Sequence, residues 1–314
     1  MKLYQNTING LRYKRWTFVE TVAYFMKGIT RELRIMPVFF LRIYKKCQEK
    51  NFKKRWLKQK VNESYFDFGV GKLPDVSNDK EKMNALIGIF EDTYLFPCFF
   101  NDIYDKSIVE YMDCYMPEGP YGYNDSTINV TIMSNDIVID AGAWIGDFSA
   151  YAASKGATVY AFEPGNENYL ILCKTRDLNI GDDKGIIYPV HKGLGDSECE
   201  MNIFIDSENS GASSFIIEGN VCEKSEKIQI TTLDIFVEEN NINSVDFIKV
   251  DIEGFERNLL KGAKNVLKTF APKLAICTYH LPDDPEVLEK IILEANPNYK
   301  IVHLRHKLFA AVVK

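Results

Sequence analysis

Two acids, Asp251 and Glu253, close the apolar run VDFIKVDIEGFE, and a histidine, His280, closes another, CTYH. Taking a proton from a weakly acidic hydroxyl needs such a group within hydrogen-bond reach, or a metal ion that acidifies the hydroxyl. In extended backbone the i, i+2 spacing puts both carboxylates on one side. Either acid could instead cap the helix expected near Phe255. His280, with an ordinary pKa of about 6.5, suits proton abstraction. His306, in HLRHK, is a second base candidate, whereas His303 reads as structural. Lys249 either pairs with an acid or points at a sheet edge. These groups show no tight ligand spacing, so no metal ligand is assigned, although a divalent ion is compatible with them.

A second constellation lies upstream in VIDAGAWIGDFSAYAASKGATVYAFEP. An apolar run ends at Asp140, Gly142 and Gly146 frame a turn, and a helix is expected from Asp147. Small residues let backbone approach a ligand, and a helix N-terminus adds donors and a positive field. Glu163 ends the next run, 23 residues after Asp140, the distance at which an acid binds ribose hydroxyls. A pyrophosphate site prefers glycine at the first, third and sixth turn positions; here they hold Gly142, Trp144 and Asp147. Trp144 would obstruct a pyrophosphate, so a nucleoside cofactor without phosphate fits better, and S-adenosylmethionine is one.

From Asp136 onward, short apolar runs alternate with amphipathic ones. Strands are expected at Ile137–Asp140, Thr158–Phe162, Ile186–His191, Asp246–Asp251, Leu274–Tyr279, Lys300–Leu304 and Leu308–Val313. Helices are expected at Asp147–Lys155, Asn166–Leu178, Leu233–Asn240, Phe255–Thr269 and Asp284–Glu294. This rhythm predicts an α/β domain, a mostly parallel sheet with helices on both faces. CEMNIFIDSENSGASSFIIE, Cys199 to Glu218, interrupts it as an inserted hairpin. In such sheets ligands bind at the carboxyl ends of the strands, which is where both constellations fall.

VIDAGAWIGDFS, VYAFEP, VDFIKVDIEGFERNLLKGA and YHLPDDPEVLEKIILEANPNYKIVHLRH together resemble the successive motifs of the FkbM family of S-adenosylmethionine-dependent methyltransferases, over roughly Glu118 to the C-terminus. The resemblance implies a Rossmann-like class I methyltransferase fold with seven strands, the last antiparallel. It implies transfer of a methyl group to a hydroxyl of a sugar, glycan or related natural product. Asp140 and the turn Gly142, Ala143, Trp144 and Gly146 are then expected at the methionine end of the cofactor. Phe162, Glu163 and Pro164 are expected at its ribose. Asp196 either accepts from the adenine amino group or is a turn residue. Trp144 stands where family members often carry Asn; it either packs on the methionine end or fills a core pocket. Ser213, Ser214 and Tyr121 are candidate acceptor contacts, Tyr121 lying in EGPYGY, which either covers the cofactor or is a turn packed by its aromatics. The competing readings are a non-catalytic nucleotide-binding or scaffold protein of the same fold, and an NAD-dependent oxidoreductase.

The 314 residues, 46% hydrophobic and 26% charged, suit one large domain with an extension. Residues 1–60 carry 16 Lys/Arg against 3 Asp/Glu; the remainder carries 22 against 41. The first segment, punctuated by Gly28 and Pro37, reads as a basic helical extension, residues 61–133 as mixed helix and loop, and 134–314 as the catalytic domain. A +13 segment beside a −19 domain suits packing on that domain or on its twin in a homodimer, or contact with a membrane surface. No nucleic-acid recognition motif is visible. Seven scattered Cys without C-x-x-C, no secretory pattern at the start and no apolar run of membrane length predict a cytoplasmic protein, with peripheral contact at the inner membrane face as the variant.

Overall fold

The computed structural model describes residues 22, 61, 64–76, 79, 82–83, 121–181, 185–204, 225–304 and 306–313. The chain divides into two compact units, Met1–Phe66 with Ile87–Pro120, and Asp67–Leu86 with Tyr121–Lys314. The description below concerns the second. The basic extension lies outside the described residues except for Val22, as do Ser213 and Ser214.

The main sheet of this unit has seven strands: β1 (Ile137–Ala141), β2 (Thr158–Phe162), β3 (Ile186–Val190), β4 (Phe247–Val250), β5 (Lys273–Cys277), β6 (Tyr299–Leu304) and β7 (Lys307–Val312). Their spatial order is β3-β2-β1-β4-β5-β7-β6. Strands β1 to β5 run parallel, and β7 is antiparallel to both its neighbours. Around it the described residues form helices α1 (Asp147–Ser154), α2 (Asn166–Leu178), α3 (Leu233–Glu239), α4 (Glu256–Lys261), α5 (Lys264–Thr269) and α6 (Asp284–Ala295). This is the Rossmann-like arrangement expected of a class I methyltransferase. All four residues of β4 are buried, as a strand covered on both faces requires.

The core lies under β1, β4 and β5, where Ile139, Ile248, Val250, Leu274 and Ile276 pack with Leu259, Leu267 and Leu288 from the helices. Alanines keep α1 close to the sheet: Ala150, Ala152 and Ala153 are wholly buried. Thr232 caps α3 by accepting from the Ile235 N–H at 3.1 Å. Arg257 of α4 donates to Asp284 at 2.8 Å and to Asp283 at 2.5 Å, fastening α4 to the start of α6.

Two details depart from expectation. The single helix Phe255–Thr269 is broken into α4 and α5 at Gly262. A Cβ on Gly262 would lie 2.0 Å from the Gly195 carbonyl oxygen, so the chain there must be glycine and the helix yields to that contact. The inserted hairpin is present, but its described arms are Cys199–Phe204 and Ser225–Thr231, so the second arm lies beyond the expected stretch. The end of that arm also pairs in parallel with Gly193–Leu194, giving a small three-stranded sheet.

The turn after β1 is shaped by the protein itself. Gly142 has φ of 76°, and a Cβ there would lie 1.9 Å from the Asp251 carbonyl oxygen. Gly146 has φ of 87° and sits against Leu172 and Thr175 of α2. Both glycines are therefore required by close approach of protein to protein. Gly142→Ala is expected to destabilise the protein by about 2–5 kcal/mol, from the left-handed backbone plus the overlap. Gly181, with nothing within 4 Å of its would-be Cβ, is the control, and Gly181→Ala should stay within about 0.5 kcal/mol of the parent in urea unfolding.

Candidate active site

Strand β4 brings the two constellations together. Its Lys249 is 5% exposed. The ammonium lies 3.2 Å from Asp140 Oδ1 and donates to the Gly142 carbonyl at 2.6 Å. Burial alone would lower the lysine pKa, but Asp140, then Asp251 and Asp147, raise it further than burial lowers it. Lys249 is thus a fixed cation, and of its two alternatives the structure selects pairing with an acid. Asp140, wholly buried, also accepts from Ser149 at 2.6 Å. Its carboxylate is spent inside the protein, holding the turn from beneath.

Above it, the Phe162 carbonyl accepts from the N–H groups of Gly142 and Ala143, at 3.1 and 2.9 Å. Phe162 and Ala143 are buried, and Pro164 is half-buried. Trp144 has φ of 49° and an indole N–H that is buried without a hydrogen-bond partner. Its backbone N–H donates to Glu163 Oε2 at 2.9 Å, and Gly165 donates to Oε1 at 2.9 Å. Burial pushes the Glu163 pKa up to about 7, against those two N–H groups, Asn168 and Lys249, which all favour the charged form. Asp196 is exposed and accepts from Asn258 at 3.0 Å, next to the Gly195 that packs on Gly262.

At the carboxyl ends of β4 and β5 lies a cluster of acids around one imidazole. Asp251 accepts from the Tyr121 hydroxyl at 2.7 Å and from Tyr279 at 3.2 Å. Tyr121 is 6% exposed, with the Lys307 ammonium 3.7 Å from its ring centroid and that of Lys249 at 5.3 Å. Glu253 and Gly254 are both left-handed, at φ of 53° and 95°. The backbone turns back there rather than running extended, and it brings Glu253 Oε2 to 3.3 Å from His280 Nε2. Asp251 Oδ1 is 3.9 Å from the same nitrogen, and Glu256 Oε1 is 3.0 Å from Nδ1. Neither Asp251 nor Glu253 caps α4, which has no side-chain cap. Glu256 instead accepts from the Ile252 N–H at 3.0 Å, bracing the turn.

His280 departs most from its ordinary chemistry. Burial would lower its pKa, but Glu253 and Glu256, and then Asp251, push it up to about 11. Among those acids it is an imidazolium at neutral pH. His306 lies beside the cluster, its ring edge-on to Tyr279 at 5.9 Å. His303 pairs with Glu289 on the surface at 2.5 Å, away from the cluster. Glu256 escaped assignment from sequence, and Tyr279, which its sequence position suggests is core, is exposed. Glu256 carried a usable signal, being the third acid in DIEGFE, but it reads as an ordinary first-turn helix residue.

A parallel sheet of this order, with a glycine turn after β1, an acid after β2 and acids after β4, defines a class I methyltransferase architecture. The family model described as "Methyltransferase FkbM domain" matches residues 140–306, just over half of the chain. The chain belongs to the FkbM methyltransferase family. It is 28% identical over 170 residues to the hexuronic acid methyltransferase AglP of Haloferax volcanii, a match covering 54% of this chain and 66% of that protein. The chain thus spans slightly under two thirds of that relative's length. It is also similar to the crystal structure of methyltransferase FkbM from Methylobacillus flagellatus KT, at 21% identity and a TM-score of 0.47, over 74% of this chain and 60% of that one. Fibrillarin from Aeropyrum pernix, solved with natively bound S-adenosyl-L-methionine, matches at 13% identity and a TM-score of 0.36, over 59% of this chain and 70% of that one. Among the described residues no helix is long and apolar enough to cross a membrane.

The raised pKa of Glu163 makes stability depend on pH in a stated direction. The folded state holds this proton more tightly than the unfolded chain. Stability from this source is complete below the ordinary value of 4.5 and is lost as pH rises to about 7. Relative to Glu163→Gln, the parent should lose about 3 kcal/mol between those limits, measured by urea unfolding of both proteins across the range. A flat difference would assign the carboxyl an ordinary pKa.

Proposed function

We propose that this protein transfers the methyl group of S-adenosylmethionine to an oxygen of a saccharide acceptor. The observation that carries the reading is the junction of the two constellations: the turn that would hold the sulfonium end packs, at Gly142, directly on the backbone of Asp251. Methyl transfer from a sulfonium is an in-line displacement, and holding the two reactants close and collinear is the main task. A cofactor seated on one side of that contact and an acceptor on the other are one peptide apart.

On this reading Glu163 accepts from the ribose hydroxyls, using the lone pairs that the Trp144 and Gly165 N–H groups leave unused. Lys249 and Asp140 act through the backbone, fixing the Gly142 carbonyl and hence the turn. The unpaired Trp144 indole N–H favours a place against the cofactor's polar end. Asp196 lies on the adenine side. The hydroxyl oxygen attacks the methyl carbon, the C–S pair stays on sulfur, and the hydroxyl proton passes to a carboxylate of the Asp251–Glu253 pair. His280, already protonated, is not the base; it holds the acids in place. Tyr121 orients Asp251, and His306 belongs to the acceptor side. The hexuronic acid specificity of the Haloferax relative makes an acidic sugar the first acceptor to try. The basic segment 1–60 would suit such an anionic acceptor, an acidic partner surface or a membrane.

Calorimetry should show binding of S-adenosylmethionine and none of NAD; NAD binding without affinity for the sulfonium would overturn the reading. Glu163→Ala should weaken cofactor binding about tenfold or more, through loss of a charged hydrogen bond. Asp251→Asn should keep cofactor affinity and lower kcat for methylation of a uronic-acid glycoside by about 10²–10⁴.

A further inference from the structure

We propose that Asp251, Glu253 and His280 form a divalent metal site, with the acceptor oxygen as a further ligand. The inference deepens the methyltransferase reading and rests on it for the role of the ion, though not for the ion's binding.

One ligand atom from each of the three residues can be chosen so that all lie within 4.8 Å of one another. Around an octahedral ion, with ligands about 2.1 Å away, adjacent ligands are about 3 Å apart. The 3.3 Å from His280 Nε2 to Glu253 and the 3.9 Å to Asp251 need only a modest closing-in. Two carboxylates and one imidazole suit a first-row divalent ion such as Mn²⁺.

The imidazole is set up as a ligand in a way that a merely acidic patch would not require. Its side chain is 8% exposed, and neither ring nitrogen makes a well-directed hydrogen bond. Nδ1 faces the fully buried Glu256 at 3.0 Å, leaving Nε2 to face Asp251 and Glu253; an ion there takes the place of the Nε2 proton that the acids hold in its absence, while the Nδ1 proton stays on Glu256. A histidine that binds a metal through one nitrogen commonly gives its other N–H to a carboxylate, which fixes the tautomer and the ring. Tyr121 and Tyr279 supply the matching support for Asp251. The charges also call for a cation. Three carboxylates surround one imidazole; of the nearby lysines, Lys249 is paired with Asp140 and Lys307 lies over the Tyr121 ring. With the ion bound, the acceptor hydroxyl on its open face becomes more acidic. Its oxygen attacks the methyl carbon, sulfur keeps the C–S electron pair, and the proton leaves through the free oxygen of Glu253 to water.

The test uses the full chain, stripped with chelator and titrated with Mn²⁺ while free Mn²⁺ is followed by electron paramagnetic resonance. One Mn²⁺ per chain is expected. Asp251→Asn and Glu253→Gln should each weaken binding about tenfold or more, and Glu200→Gln, in the Lys227 pair of the hairpin, should not change it. Spin-echo modulation on the parent protein, which needs no variant to fold, should show one coupled imidazole nitrogen that disappears in His280→Gln. No saturable binding, binding unaltered by both acid substitutions, or bound Mn²⁺ without nitrogen coupling would each overturn the proposal. S-adenosylmethionine titrated in chelator separates the two readings: failure there removes the methyltransferase assignment, whatever Mn²⁺ does.

Discussion

A lysine buried in the middle of the sheet is the interaction on which the candidate site depends. Lys249 gives up hydration, and in return it meets Asp140 on β1 and the carbonyl of Gly142 just past it. Removing one partner of such a buried pair leaves an uncompensated charge and typically costs about 3–5 kcal/mol. The geometry explains why the pair is there. β1 and β4 are hydrogen-bonded neighbours at the centre of the sheet, and the lysine continues their connection beyond the last backbone hydrogen bond. The glycine turn and the acidic end of β4 are thereby fixed relative to each other.

Around that anchor the electrostatics separate into two regions. Near the turn, Lys249 faces Asp140 and Asp147, while Glu163 is held by backbone N–H groups and pushed towards neutrality by burial. At the ends of β4 and β5 charge is not balanced, because Asp251, Glu253 and Glu256 converge on one imidazole. An excess of negative charge suits a group that must draw a proton, or a cation, towards the acceptor.

Much of the fold was legible because parallel strands buried on both faces read as short apolar runs, and FIKV and KLAIC are such runs. The break at Gly262 was not legible, since its cause is the carbonyl of Gly195, far away in sequence. That Asp251, Glu253 and His280 gather at the strand ends was legible, but their state was not. His280 looks like a base when its pKa is taken as ordinary; the acids that hold its proton are all visible in DIEGFE, yet only the left-handed turn at Glu253 and Gly254 folds them onto the ring. The glycines of the first turn were singled out for close approach of a ligand, but what the structure sets against Gly142 is Asp251 and against Gly146 is α2.

That contact between Gly142 and the Asp251 carbonyl has a consequence for how such an enzyme can diversify. The proposed donor and acceptor compartments share a wall one peptide thick, with no room for a side chain on the glycine side. They cannot drift apart or be re-spaced by substitution within the wall without unseating β1 from β4. New acceptors must be accommodated from outside that wall, at the ends of the strands, while the distance between methyl donor and nucleophile stays inherited from the sheet.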